Sequence, residues 1–507
     1  MLLPTHSAFL RHQATRCGER GGLIWRDAPY SFTAVAAASE RIAGWLARCG
    51  IGRNDSVLIV MGNQPALIAA FYGCWSIGAT VVPANARSTA GEIEAMAGHA
   101  RARMVLCDAE RAEVVREAAR AAPIAAGCIP GDLTAGPKLT VRGRARTSRE
   151  PRLPGSEDLA VLTFTSGTTS KPKGVMLTHA NLLWSALACA TARGDSPDGV
   201  GLCLSPLSHT PVFVSHLLCR LLLGQSAVLF DKVEADAVLA AIERHRVTDL
   251  PLIAGMVLSF LELGRIAERR RRSLRKVSIG GAPTTMAAKR QLAELFAGAE
   301  IIEAYGQSES TDGVCMTRGR EAIERPGTIG RANPYVSVRI RRADRTFAAA
   351  GEQGEIVIGG PTVMRGYYRD HAATTAQLRQ GWLHTGDLGR ADEEGFFYIT
   401  GRLKDLIISG GENIAPAEVE EVLRRHPDIA DVAVIGTPHP RWGEQVTAVV
   451  VPRPGANLTG AGIRDFAAEH LAAFKKPRRV EIVDSLPRNA TNKVQTGMLK
   501  QMFGKDS

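Results

Sequence analysis

No two of the nine cysteines stand in a C-x-x-C spacing, and their number is odd. That pattern argues against a structural zinc site and for a reducing compartment. Neither G-x-G-x-x-G nor G-x-S-x-G occurs, which removes the simplest dehydrogenase and hydrolase readings. His245 and Asp249 have the H-x-x-x-D spacing of some acyltransferases, but without the preceding histidine and following glycine they read as structure. Long unbroken apolar runs are missing as well. Gly73 and Gly78 divide 66–83 into a helix and a strand, and His216, Arg220 and Gln225 interrupt 212–230, so no membrane span is expected. The first eighteen residues carry charge and proline without an apolar core or cleavage site. No secretory signal is expected, and the cytoplasm is the expected location. The arginine run 269–272, with Arg275 and Lys276, has no interleaved aromatics and reads as a solvated loop, not a nucleic-acid patch. Internal repeats and low-complexity stretches are absent.

What remains is globular: 507 residues, 45% hydrophobic, with a net charge of +11. That length exceeds one ordinary domain. A basic surface suits a polyanionic cofactor as well as a membrane or nucleic acid, and decides nothing alone. From 34 to 107 and again from 200 to 305, helical periodicity alternates with short apolar strands, the rhythm of doubly wound parallel sheets. Residues 127–157 are polar and basic and read as a loose connector. After Gly327 short glycine-punctuated strands (336–341, 354–358, 396–400) suggest a small β-barrel. Beyond Gly401 comes a compact α+β unit: helix 416–425, strands 429–436 and 445–451, helix 460–471, strand 480–483. The expected fold class is therefore α/β. A large N-terminal domain (1–401) holds the doubly wound sheets and small β-barrel; a small mobile α+β C-terminal domain covers 402–507.

The stretch 159–174, LAVLTFTSGTTSKPKG, is the centre of the functional reading. An apolar strand runs into Thr165, Ser166, Gly167, Thr168, Thr169 and Ser170, closed by Lys171, Lys173 and Gly174. Glycine permits close backbone approach, hydroxyls and N–H groups make an anion-binding concavity, and lysine adds charge for a polyphosphate. The spacing is not that of a P-loop. TSGTTSKPKG resembles the phosphate-binding signature of the adenylate-forming superfamily: acyl- and aryl-CoA synthetases, adenylation domains and firefly-type luciferases.

Further motifs follow in that family's order. Gly280, Gly281, Ala282 and Pro283 end a strand as a flat surface for a base. Tyr305-Gly306-Gln307-Ser308-Glu309 resembles the Tyr-Gly-x-Thr-Glu signature. The resemblance places Tyr305 against adenine, Gly306 among the ATP-binding residues, Ser308 on phosphate, and Glu309 with Thr165 on Mg2+. WLHTGD (382–387) resembles the ribose motif, with Asp387 the acceptor. GRLKD (401–405) resembles the hinge, where Arg402 also reaches ribose and Asp405 is the pivot. LPRNATNKV (486–494) resembles the loop carrying the adenylation lysine, Lys493.

The segment SPLSHTPVF (205–213) holds no acid to pair an α-ammonium, so an amino-acid activator is disfavoured. It is similar instead to CoA ligases, in which His209 would lie beside the acyl carboxylate. Gly410 and Gly411 would wall the pantetheine tunnel, with Trp442 beside it. Arg87, Phe474 and Lys476 match positions that contact the CoA nucleotide. The resemblance implies ATP, Mg2+ and coenzyme A, an acyl-adenylate, and a thioester. The catalytic set would be Lys493, His209 and Glu309. Apolar candidates for the acid pocket, among them Val212, Phe213, Ile253 and Met256, point to an aliphatic or aromatic monocarboxylate. Other readings are transfer to an acyl carrier protein, a non-catalytic nucleotide-binding homologue, and luciferase-like oxygenation. A homodimer is compatible with all of these.

Overall fold

Every residue of the strand Ser56–Val60 is buried, as a strand covered by helices on both faces must be. It lies at the centre of an eight-stranded sheet. The order is Gly366–Tyr367, Lys173–Thr178, Leu159–Thr165, Thr80–Ala84, Ser56–Val60, Ala102–Cys107, Ala125–Cys128 and Lys138–Val141. The five strands from Leu159–Thr165 to Ala125–Cys128 are parallel, and the outer ones antiparallel. The computed structural model describes residues 5–122, 124–141, 154–165, 173–281, 284–488 and 494–504.

Leu58, Val60, Val82, Val105 and Leu162 on one face of this sheet pack with Ile93 and Val115 from the helices Ala90–Ala100 and Ala112–Ala121. The helix Pro65–Ser76 is buried all round except at its last residue, which fits an interior helix. A Cβ on Gly73 would sit 2.8 Å from Ile42 Cγ2 and 3.1 Å from the Ser39 carbonyl oxygen. Glycine is what lets the helix Phe32–Arg48 approach so closely. The segment read as a loose connector is ordered at its start, because Ala125–Cys128 and Lys138–Val141 close the sheet edge; residues 142–153 lie outside the described set. A hairpin at Gly22–Trp25 and Ala28–Tyr30, ahead of the expected first helix, is also present.

A second sheet has parallel strands Gly22–Trp25, Ser226–Leu229, Val200–Cys203, Asp249–Ile253, Lys276–Gly280 and Glu300–Gly306, followed by antiparallel Gly313–Arg318. Its helices bury Leu239, Ile242, Phe260, Leu292 and Phe296 against Leu250, Val277 and Ile301. The arginine run is tied down: Arg269 and Arg270 pair with Glu243 and Asp236, Arg271 donates to the Ala297 carbonyl, and Arg275 meets Asp198.

The chain divides into two compact units. One is Met1–Pro326 with Gly330–Val338 and Ile358–Leu383; the other is Gly327–Ile329, Arg339–Val357 and His384–Ser507. The short glycine-punctuated segments 339–357 and 384–401 thus group with the C-terminal residues. The second unit holds a five-stranded sheet of Glu412–Ile414, Ile407–Ser409, Gly443–Pro452, Ile429–His439 and Arg479–Ile482. Helices Pro416–Leu423 and Gly460–His470 bury Val419, Leu423, Ile463 and Ala467 against it. Among the described residues no helix is long and apolar enough to cross a membrane.

His6 and His179 are buried in the first unit, and His216 is partly buried there. His6 Nε2 lies 3.2 Å from the His179 carbonyl oxygen, and Trp75 packs against both rings. Burial lowers His179 to about 4, His216 to about 3, and His6 well below its usual value. In the unfolded chain each titrates near 6.5. As pH falls from 6.5 towards 4.5 the unfolded state takes up protons that the fold refuses, so stability falls. Each histidine contributes at most ~1.4 kcal/mol per pH unit. Asp312, raised to about 6 by burial, acts in the opposite sense and offsets one of them. We expect urea midpoints to fall steeply between pH 7 and pH 5, and less steeply in His179→Phe. A flat profile in the unmodified protein would contradict this.

Candidate active site

In parallel α/β sheets, ligands meet the carboxyl ends of the strands. Leu159–Thr165 ends there and pairs with Lys173–Thr178 so that Thr165 faces Lys173. The loop residues Ser166, Gly167, Thr168 and Thr169 lie outside the described residues, as do Ala282, Pro283 and Lys493. Lys173 Nζ lies over the ring of Tyr367, 5.0 Å from its centroid. The Tyr367 hydroxyl donates to Glu309 Oε1 at 2.9 Å, and the Met364 N–H donates to the Glu309 carbonyl at 2.8 Å. Burial, and then the neighbouring Glu309 carboxylate, pushes the Tyr367 phenol far above its usual range. It therefore stays a donor at any working pH. One tyrosine thus joins the start of the strand Lys173–Thr178 to the turn Ser308–Ser310.

That turn is rigid for reasons of local geometry. Ser308–Ser310 is a 3-10 turn, with the Gln307 N–H donating to Ser310 Oγ at 3.1 Å. A Cβ on Gly306 would lie 2.1 Å from the Asp312 carbonyl oxygen, so only glycine fits. Thr311 has φ 72, unusual for a β-branched residue. It is fully buried, and its hydroxyl donates to the Thr362 carbonyl at 2.6 Å. Backbone strain of this kind clusters at functional sites. On the neighbouring strand, Gly281 has φ 87 at the strand end. Just beyond it, Thr284 N–H donates to Glu303 Oε1 at 3.2 Å, and Glu303 also pairs with buried Lys289. Tyr305 and Ser308 are half-buried.

His209 caps a helix that begins at Thr210–Val212 and passes through a π-helical turn, Phe213–Leu218, where the periodicity predicts a regular helix. Such turns are frequent at functional sites. The loop before it is held by Asn63, which donates to the Ser205 and Phe230 carbonyls at 2.9 and 3.1 Å and accepts from Leu207 N–H. Phe213 packs on Phe71 with ring centroids 5.0 Å apart. Arg87 is exposed.

The second unit carries the remaining candidates. Asp387 and Arg402 face each other on adjacent antiparallel strands, Arg402 Nε donating to Asp387 Oδ1 at 2.8 Å. Asp387 is 4% exposed, whereas the Arg402 side chain is half exposed. Asp405 ends the 3-10 turn Leu403–Asp405, in which burial lowers the Lys404 ammonium. Gly410 and Gly411, with φ 62 and 88, make the tight turn between Ile407–Ser409 and Glu412–Ile414. Both left-handed positions favour glycine. A Cβ on Gly410 would meet Trp442 at 2.8 Å. The Trp442 ring has Arg441 and Arg478 guanidinium groups 4.7 and 4.8 Å from it. Phe474 is exposed, with the Lys475 ammonium 5.5 Å from its ring.

Among the described residues no group of three or more His, Cys, Asp or Glu could hold a metal. Mg2+ needs only one or two carboxylates and fills its shell with phosphate oxygens and water, and the Glu309 carboxylate, held through Oε1 by the Tyr367 hydroxyl, is of the kind it takes.

Among the features that escaped the sequence reading are two on these sheets. Tyr367 has no local motif pointing to Glu309, although the GYY run at 366–368 marks a break in pattern. The other is a buried ion cluster: Asp195 with Arg193 and Lys276 at 2.7 and 2.9 Å, and Asp249 with Arg220 at 3.4 Å. Asp249 and Lys276 start their strands, so the cluster sits at the amino ends, away from the carboxyl ends that carry the candidate motifs. His245 turns away to Asp27 at 2.8 Å, and the H-x-x-x-D letters form no site.

The sequence matches the AMP-binding enzyme family over residues 10–368 and the AMP-binding enzyme C-terminal domain over residues 418–493. It is 35% identical to a feruloyl-CoA synthase of an Amycolatopsis species over 479 residues, 94% of each chain. The structure is similar to o-succinylbenzoate CoA synthetase from Bacillus subtilis in complex with its acyl-adenylate intermediate, with TM-score 0.85, 30% identity and full coverage of both chains. The same Bacillus subtilis enzyme with ATP and a magnesium ion aligns with TM-score 0.83 at 31% identity, covering 97% of this chain and 99% of the other.

Proposed function

Since the chain belongs to the AMP-binding enzymes and is an acid–thiol ligase of the AMP-forming kind, we propose that it joins an apolar, aryl-bearing monocarboxylic acid to coenzyme A at the expense of ATP. The observation that carries this reading is the Lys173–Tyr367–Glu309 contact, which brings two phosphate-handling motifs together within one unit. Both relatives are named for aromatic acids, of which o-succinylbenzoate carries a second carboxylate, whereas the pocket candidates here are apolar, with Val212 and Phe213 buried.

In the first step a carboxylate oxygen attacks the α-phosphorus, the bond to the β-phosphate breaks, and pyrophosphate leaves. The hydroxyls of Thr165, Ser166, Thr168, Thr169 and Ser308, with Lys173, would hold the phosphates. Glu309 and Thr165 would hold Mg2+, which when bound neutralises phosphate charge. Tyr305, Gly306 and the Gly281-Ala282-Pro283 surface take adenine; Asp387 and Arg402 take ribose. Lys493 stabilises the charge that builds between carboxylate and α-phosphate. In the second step the CoA thiolate attacks the acyl carbon and AMP leaves. His209 stands beside the acyl carboxylate, while Gly410, Gly411 and Trp442 flank pantetheine. Arg87, Phe474 and Lys476 take the CoA nucleotide. Residues 402–507 act as the moving part, with Asp405 the pivot.

An acid panel spanning benzoates, hydroxycinnamates, fatty acids and dicarboxylates, read by AMP release with CoA or a phosphopantetheinyl carrier protein, tests this. We expect aryl monocarboxylates with CoA to give the highest kcat/KM. Preference for the carrier, or for dicarboxylates, would refute the proposed acceptor or acid.

A further inference from the structure

The turn that presents Asp387 is set by a carboxylate that no motif singled out. Glu355, on the strand Gln353–Gly359, has a side chain 14% exposed. One oxygen, Oε2, lies 2.5 Å from His384 Nδ1, and the other, Oε1, accepts the Gly386 N–H at 3.0 Å. Between these two residues the Thr385 hydroxyl donates to the Ile356 carbonyl at 2.7 Å and accepts the Asp387 N–H at 3.0 Å. Gly386 is left-handed, φ 74. Every residue from 384 to 387 is therefore hydrogen-bonded either to the strand Gln353–Gly359 or to a group that is. Asp387 is then directed at Arg402.

We propose that Glu355 is a positioning residue for nucleotide recognition, acting through His384, Thr385 and Gly386 to fix the Asp387 carboxylate that receives the ribose hydroxyls. This rests on the assignment of Asp387 to ribose made above. A carboxylate buried this far favours charge-assisted donors, which hold geometry more firmly than neutral ones. Small displacements of a binding group are costly to recognition. Glutamine is a graded replacement. Its carbonyl can still accept from Gly386, and its amide can donate to His384 Nδ1 once the imidazole proton moves to Nε2. Alanine can do neither.

The test measures ATP–pyrophosphate exchange for the full chain with ATP and with 2′-deoxy-ATP, and then KM for the acid and for CoA. The unmodified enzyme should prefer ATP. In Glu355→Ala we expect KM for ATP to rise about tenfold and the preference over 2′-deoxy-ATP to collapse, as loss of one charge-assisted contact implies. KM values for acid and CoA should stay within about twofold, the change expected when no contact to them is lost. Glu355→Gln should recover most of the preference. Thr385→Val, which keeps the side-chain shape, should show a smaller loss of the same kind. A purely structural role would lower stability and active fraction while leaving the ATP to 2′-deoxy-ATP ratio unmoved in every variant, and that result overturns the positioning role. Absence of any ribose preference in the unmodified enzyme would instead overturn the assignment of Asp387.

Discussion

Lys493→Ala is expected to lower acyl-adenylate formation by about 10²–10³-fold, the loss typical of removing one group that stabilises transition-state charge. Thioesterification of supplied acyl-AMP should stay within about twofold of normal, because no transition-state contact is lost there. The first step drives two anions, a carboxylate and an α-phosphate, into contact, and an ammonium bridging both is worth most while charge is building. In the second step a thiolate attacks an anhydride carbon that is already activated, and AMP departs. The described residues on either side of Lys493 are tied together. Arg488 and Val494 form an antiparallel bridge, Gln495 N–H donates to the Pro487 carbonyl at 2.8 Å, and Arg488 pairs with Asp431 at 2.5 Å. Alanine at 493 leaves those contacts intact, so the variant should fold. Pyrophosphate exchange reads the first half-reaction, and acyl-AMP with CoA reads the second. Equal loss in both would dismiss a lysine dedicated to adenylation.

Glu309→Gln should depress exchange by about 10²–10³-fold, with no rescue at raised Mg2+, since an amide supplies neither charge nor a second hard oxygen. Tyr367→Phe should be milder. It removes a single hydrogen bond to Glu309 Oε1 and should raise the Mg2+ concentration for half-maximal exchange about tenfold, with kcat at saturation nearly preserved. The contrast between the two variants separates charge from aim. Near-normal exchange in Glu309→Gln would remove Glu309 from the reaction altogether.

Much of this was legible before any coordinates. The strands of the C-terminal unit fall within about three residues of their expected bounds: 429–436 against Ile429–His439, 445–451 against Gly443–Pro452, 480–483 against Arg479–Ile482. The amphipathic pattern there is regular, and periodicity reports directly on which side is buried. The segment 127–157 misled because its polar, basic composition conceals a short edge strand, Lys138–Val141, paired with Ala125–Cys128. Edge strands are exposed on one side and carry weak apolar patterning. The π-helical turn at Phe213–Leu218 was equally invisible, since residues that make an ordinary helix can also widen one turn.

The sequence by itself determined the alternation of helix and strand, the order of the motifs that resemble those of the adenylate-forming enzymes, and the residue types that a charged nucleotide requires. These are properties of short windows, where backbone preference and side-chain chemistry act within a few residues of each other. Only the tertiary structure decided that Tyr367 donates to Glu309, that Glu355 accepts from the turn before Asp387, and that Asp195 and Asp249 are consumed in a buried ion cluster at the far ends of the strands. The partners in those contacts are brought together by sheet register and helix packing, and no local rule of the chain encodes such a distance.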